Sequence, residues 1–194
     1  GSEMCIRDRD QIFLLKGLRL MCDVYLMRDK ADQSLTSIKR MHSERKALVK
    51  LLKKHAPQML DSMQPEHEDH LRAGRLYAAA GKARAATKSF ARCERLSPGH
   101  LAAAHTAVDA VPTKAHAERL LNAVDSAGEV ILANGRFQLE PMGSPPVSLD
   151  TVLASLERAA VSVPALADRC RHERKRLDDQ RAAIVAGEQA ANAR

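Results

Sequence analysis

A chain of 194 residues has material for one domain or two small ones, and its 45% hydrophobic and 28% charged content is ordinary for a globular protein. Aromatic residues are scarce, with no Trp, two Tyr and three Phe; that is too few to pack a β-sandwich or barrel, and too few to stack single-stranded bases. The net charge of +7, from 31 Lys and Arg against 24 Asp and Glu, is basic without being extreme.

Gly1-Ser2 reads as a cloning remnant and Met4-Cys5-Ile6-Arg7-Asp8 as a translated transposon-type sequencing adapter. Residues 1–9 are therefore set aside as an artefact of a gene model assembled from environmental DNA. The Ala- and Arg-rich composition fits a GC-rich bacterial genome.

Residues 10–30 are predicted as the first helix. Apolar side chains cover almost its whole circumference, leaving Lys16, Arg19 and Asp23 as a narrow polar stripe. A helix of this kind is buried or meets a partner. Its apolar stretch, residues 12–27, falls short of the roughly 20 residues needed to cross a bilayer, so no transmembrane segment is expected.

Residues 34–55 form a second helix, with Ile38, Met41, Leu48, Leu51 and Leu52 on one side and Lys39, Lys46, Lys50, Lys53 and Lys54 on the opposite arc. Seven basic residues against one acid between Thr36 and His55 make this the most one-sided charge in the chain. Pro57 and the stretch after it end the helix.

Two helices over 65–80 and 82–96 follow, joined at Gly81 and closed by Ser97-Pro98-Gly99. Pro65 and the acids Glu66, Glu68 and Asp69 suit the opening turn of the first. Gly74 permits close backbone approach, and Tyr77, Ala78, Ala86, Phe90 and Cys93 complete the pattern of a tight helical hairpin. A further hairpin is expected over 101–111 and 113–127, with Val108, Leu120, Leu121 and Val124 as its core.

Residues 129–140 break the helical pattern. Two apolar runs flank Asn134-Gly135, the strongest short signal for a β-hairpin, at about 130–139. An isolated hairpin is marginal, so it must pack on helices or pair with another strand. The segment 141–146 reads as a linker or ordered loop. Ser148 is expected to cap a helix to 160 with Leu149, Val152, Leu153 and Leu156 inward. Pro164 opens a last helix toward 190 on a sparse seam of Leu166, Cys170, Leu177 and Ile184.

The spacing Gly74-x-x-Tyr77, Gly81, Ala86-x-x-x-Phe90 and Pro98 resembles one tetratricopeptide repeat, a helix–turn–helix unit of 34 residues. His70 stands where that pattern usually has Trp, and Ala73 where it usually has Leu. The match covers about 66–99, a sixth of the chain. The reading is an all-α, irregular tetratricopeptide-like bundle with one small β-hairpin. Its segments are 1–9, an N-terminal helical pair at 10–64, hairpins at 65–128, the β-hairpin and loop at 129–147, and a C-terminal helical pair at 148–194.

The resemblance implies a concave surface presenting Glu68, Leu71, Arg75, Ala78 and Ala79. The family's carboxylate clamp is not matched, because Leu71 and Arg75 occupy its places. A peptide or helix remains a fitting occupant, the chain's own N-terminal helix included. Phe137 and its hairpin fit a cover over one end of the helical stack, or a strand added to a partner's sheet.

No catalytic, cofactor or metal site is predicted. Glu66-His67-Glu68-Asp69-His70 has the residue types of a metal site, but an acidic helix start explains them better. The glycines are single, without a phosphate-cradling loop, and no Ser sits in a nucleophile elbow. Cys5, Cys22, Cys93 and Cys170 show no paired spacing, which suits free thiols in a reducing cytoplasm. The expectation is a non-enzymatic cytoplasmic adaptor or assembly subunit, engaging a protein partner through the groove or the apolar first helix. A second reading is a basic subunit contacting nucleic-acid backbone through Lys39, Lys46, Lys50, Lys53 and Lys54. Oligomerisation is left open.

Overall fold

The computed structural model describes residues 2–141 and 145–192, with side chains for 10–141 and 145–191. The middle of the expected 141–146 loop and the side chain of Cys5 lie outside the described residues. The fold is mostly α-helical: among the described residues there are eight α-helices and one small antiparallel sheet. The chain divides into two compact units, Gly1–Arg92 and Cys93–Arg194.

In the first unit, α1 (Ser2–Met27) and α2 (Leu35–His55) are joined by a short 3-10 turn, Ala31–Ser34. Asp29 adopts a left-handed φ of 54° and ends α1, and the amide of Lys30 donates to the carbonyl of Tyr25 to close it. Helix α3 (Glu66–Ala79) packs against both. Leu15, Leu18 and Cys22 from α1, Ile38, Met41, Leu48 and Leu52 from α2, and Ala73 and Leu76 from α3 form the buried cluster. Spacings of three, four and seven residues put each set on one helix face, which is why these segments pack as amphipathic helices. Helix α4 (Ala83–Leu96), within which the division falls, follows a turn at Gly81 and buries Ala86 and Phe90 in its first-unit part and Cys93 beyond it. A Cβ at Gly74 would lie 2.5 Å from Phe90, so only glycine lets the Phe90 ring approach the α3 backbone this closely.

The second unit builds on α5 (Leu101–Ala110), α6 (Lys114–Ala127), α7 (Leu149–Ser162) and α8 (Ala167–Asn192). Thr113 caps α6, its hydroxyl accepting from the amide of His116 at 3.2 Å. The hairpin falls where Asn134-Gly135 places it. Strands β1 (Val130–Ala133) and β2 (Arg136–Leu139) pair with Ala133 opposite Arg136, and both turn residues have positive φ, 51° and 71°.

A third strand, β3 (Val147–Ser148), adds to the hairpin through Gln138↔Ser148 and Leu139↔Val147. The expectation that the hairpin needs helices or another strand is met by both, since β2 and β3 also pack on α7 and β1 on α8. Ser148 precedes α7, but its side chain makes no capping hydrogen bond; the residue is held by its strand pairing instead. Leu166, in the 3-10 turn Pro164–Leu166 that leads into α8, and Cys170 and Leu177 of α8 are buried, and Ile184 packs beside them, the spacing read from the sequence.

Candidate functional site

Two chemically distinct faces of the first unit stand out, and a buried charge cluster lies beneath them. The cluster centres on Asp69 of α3, whose side chain is fully buried. Arg19 of α1 grips it with two parallel hydrogen bonds, Nε to Oδ1 at 2.6 Å and Nη2 to Oδ2 at 2.7 Å. Arg45 of α2 donates to Oδ2 at 3.0 Å and to the Gln64 carbonyl at 2.8 Å. Arg72 stands 3.4 Å from Oδ1 and donates to Asp23 at 2.7 Å. Bidentate arginine–carboxylate geometry of this kind fixes orientation as well as energy, so α1, α2 and α3 are locked at one point.

This arrangement places two of the cations noted in the sequence. Arg19, part of the narrow polar stripe of α1, is turned inward to satisfy Asp69. Arg45, one of the seven basic residues of α2, is spent in the same way and adds nothing to the surface charge. The metal-like pentapeptide is split as well. Three guanidiniums occupy the Asp69 carboxylate, whereas His70 stacks on His42 of α2 with ring centroids 4.7 Å apart and faces Glu66 at 3.4 Å. Burial lowers the pKa of both imidazoles below the usual histidine value. At His70 the neighbouring His42 lowers it further while Glu66 opposes; at His42, Asp69 and Glu66 oppose.

The groove residues carried over from the repeat resemblance do not form one open surface. Leu71 is buried, Glu68, Arg75 and Ala78 are half-buried, and Ala79 is exposed. Helix α1 lies on another face of α3, that of Asp69, Arg72, Ala73 and Leu76. The pairing of Arg19 with Asp69 and of Asp23 with Arg72 explains that choice, so α1 does not occupy the expected groove.

The lysine arc of α2 is exposed at all five positions, and none of the five makes an ion pair among the described residues. From Lys39 to Lys53 it runs about 21 Å along the helix axis, at 1.5 Å per residue. The opposite side of α1 is the second face. Phe13, Leu20 and Met27 are 68%, 64% and 76% exposed, with Met21 beside them at 45%. Arg28 and Tyr25 join Leu20, Met21 and Val24 in lining a shallow groove of about 340 Å³. A larger cleft of about 570 Å³ opens between α1, Leu48 of α2 and the residues after it, lined by Ile12, Leu15, Met59 and Met63 with Lys16 and Arg19 at its edge. The Arg19 charge there is already neutralised by Asp69.

The sequence pointed to an α1 in need of cover on all sides, and the structure covers only one side. The register of Phe13, Leu20 and Met27, seven residues apart, was the signal that could have singled out the uncovered face. The three thiols described, Cys22, Cys93 and Cys170, are buried and in no disulfide, and burial pushes Cys22 up to about 11. Among the described residues, no helix is long and apolar enough to cross a membrane. Comparison with models of known protein families, with curated proteins and with solved structures finds no match.

Proposed function

We propose that the chain is a non-enzymatic assembly or adaptor protein that docks a partner helix on the exposed face of α1. The observation that carries this reading is the exposure of Phe13, Leu20 and Met27 on one face of a helix whose other face is anchored by the Arg19–Asp69 pair. Large apolar side chains aligned in an exposed patch mark interaction surfaces more often than scattered ones do. The rigid attachment beneath keeps the face ordered before binding, which lowers the cost of association. The hairpin of α3 and α4 supports kinship with helical-repeat proteins, since Gly74 and Phe90 make the close contact that a tetratricopeptide signature asks for.

The test is fluorescence anisotropy with a designed amphipathic helix bearing leucines at alternating three- and four-residue spacing. Binding that Leu20→Glu abolishes supports the reading; absence of binding to the unaltered chain overturns it.

The exposed lysine arc favours a second reading, contact with nucleic-acid backbone. Five lysines neutralising five phosphates give a slope of about −4 to −5 for log affinity against log salt. Lys46→Glu, Lys50→Glu and Lys53→Glu together should remove duplex binding at low salt; no duplex binding by the unaltered chain excludes this reading.

A further inference from the structure

The exposed face of α1 has a regular register. Between Phe13, Leu20 and Met27 stand Gly17 and Val24, so the steps along the face alternate between four and three residues. That is the seam of a two-stranded helical pair. Resting on the docking reading above, we infer that the occupant of this face is α1 of a second copy of the chain, lying antiparallel about a two-fold axis.

Self-complementarity carries the inference. An added Cβ on Gly17 would meet nothing within 4 Å, so an open notch lies between Phe13 and Leu20. The antiparallel register seats Leu20 of the second copy in that notch and places Phe13 against Val24 of the second copy. The two-fold repeats both contacts. Charges flanking the seam match in the same register. Lys16, exposed, comes beside Asp23 of the second copy, whose side chain is 45% exposed while it also holds Arg72. On the other flank Leu14 meets Met21, and at the ends exposed Asp10 comes opposite Met27, beside exposed Arg28. A parallel pair sets Asp10 against Asp10 and Gly17 against Gly17, which repels at one layer and leaves a void at another. An isologous contact of this kind is closed, so association stops at two chains.

Sedimentation equilibrium of the whole chain tests this. The expected result is a monomer–dimer equilibrium with no larger species. Leu20→Glu, at the seam centre, should weaken it at least about 30-fold, as loss of a central anchor does. Lys16→Glu should weaken it about 3- to 10-fold, more at low salt than at high.

Gly17→Leu discriminates the orientation by sign. In the antiparallel pair the new side chain collides with Leu20 of the second copy and weakens the dimer. In a parallel pair it fills the void and strengthens it, which overturns the inferred register. Leucine raises helix propensity at this exposed position, so loss of folding does not imitate the result. A chain that stays monomeric at every concentration overturns self-association. If that monomer still binds the designed helix through Leu20, the docking reading stands with a different occupant; if it binds neither, both fail.

Discussion

The two units solve the problem of burial differently. Among the described residues the second unit gathers twenty-two buried side chains into one cluster, drawn from four helices, all three strands and the turn between α7 and α8; its buried polar residues are His100, His116 and Ser155. The first unit's cluster holds ten, and next to it sits a fully buried carboxylate held by three arginines. The same unit leaves Phe13, Leu20 and Met27 in water. A unit that buries charges while exposing large apolar groups has not been optimised for stability alone. In the first unit the buried charge and the row of exposed apolar side chains share one helix, α1, whereas the second unit's exposed Val161 and Val185 lie apart on α7 and α8.

The sharpest way to break this contrast is Asp69→Ala. It leaves Arg19 and Arg45 with uncompensated buried charge, while Arg72 keeps Asp23, and should cost about 3–5 kcal/mol. Both tyrosines, Tyr25 and Tyr77, lie in the first unit and the chain has no Trp. Tyrosine fluorescence therefore reports that unit alone during urea unfolding. A tyrosine midpoint that stays put would show that the cluster is not what holds α1, α2 and α3 together.

Leu149→Ala is the counterpart in the second unit. Leu149 is fully buried in the larger cluster, and truncation should cost about 2–5 kcal/mol, read by circular dichroism. Gly74→Val comes next, at about 1–3 kcal/mol of overpacking, because its Cβ must displace the Phe90 ring from 2.5 Å. A neutral result there would mean that Phe90 has room to move, and the tight hairpin reading would lose its support.

Acid gives a smaller effect that also falls on the first unit. His42 and His70 have folded pKa values below their usual 6.5, burial being the main cause. A lowered histidine binds its proton more readily when unfolded, so its contribution to stability is complete above about pH 7 and is lost as pH falls from 6.5 through the lowered folded value. Tyrosine-monitored stability should therefore decline below that point, and His70→Gln should flatten the decline. Proton NMR of the two rings checks the direction; values at or above 6.5 sink the prediction. His116 in the second unit is lowered by burial as well, so the contrast lies in the stacked pair and not in the sign.

Periodicity made the helices and their inward faces legible, from Ile38, Met41 and Leu48 to Leu166, Cys170 and Leu177, because burial selects one stripe whatever it packs against. Asn134-Gly135 likewise fixed a hairpin by local backbone preference. The third strand was illegible because Val147-Ser148 is too short to show alternation, and its pairing is decided by a distant partner. The inward turn of Arg19 and Arg45 was hidden for a related reason. Whether an arginine faces water depends on Asp69, 50 and 24 residues away, and a one-dimensional charge count assigns every cation to the surface. The candidate faces therefore divide: the lysine arc could be read directly, while the uncovered side of α1 required knowing where α2 and α3 sit.

The smallest expected change is the most discriminating. Leu20→Glu sits on the exposed face and should alter the stability of the monomer by less than about 0.5 kcal/mol. Leu18→Glu, two residues away, buries a carboxylate at a position only 5% exposed and should unfold the first unit, since an unpaired buried charge costs far more than the leucine contributed. The pair differs only in the side of the helix it alters. If Leu20→Glu is as damaging as Leu18→Glu, the outer face is part of the fold's own support, and neither docking nor pairing is needed to explain its apolar side chains. If Leu20→Glu is silent in unfolding and disabling in association, those side chains are kept for something other than the monomer, because nothing in the monomer's stability retains them.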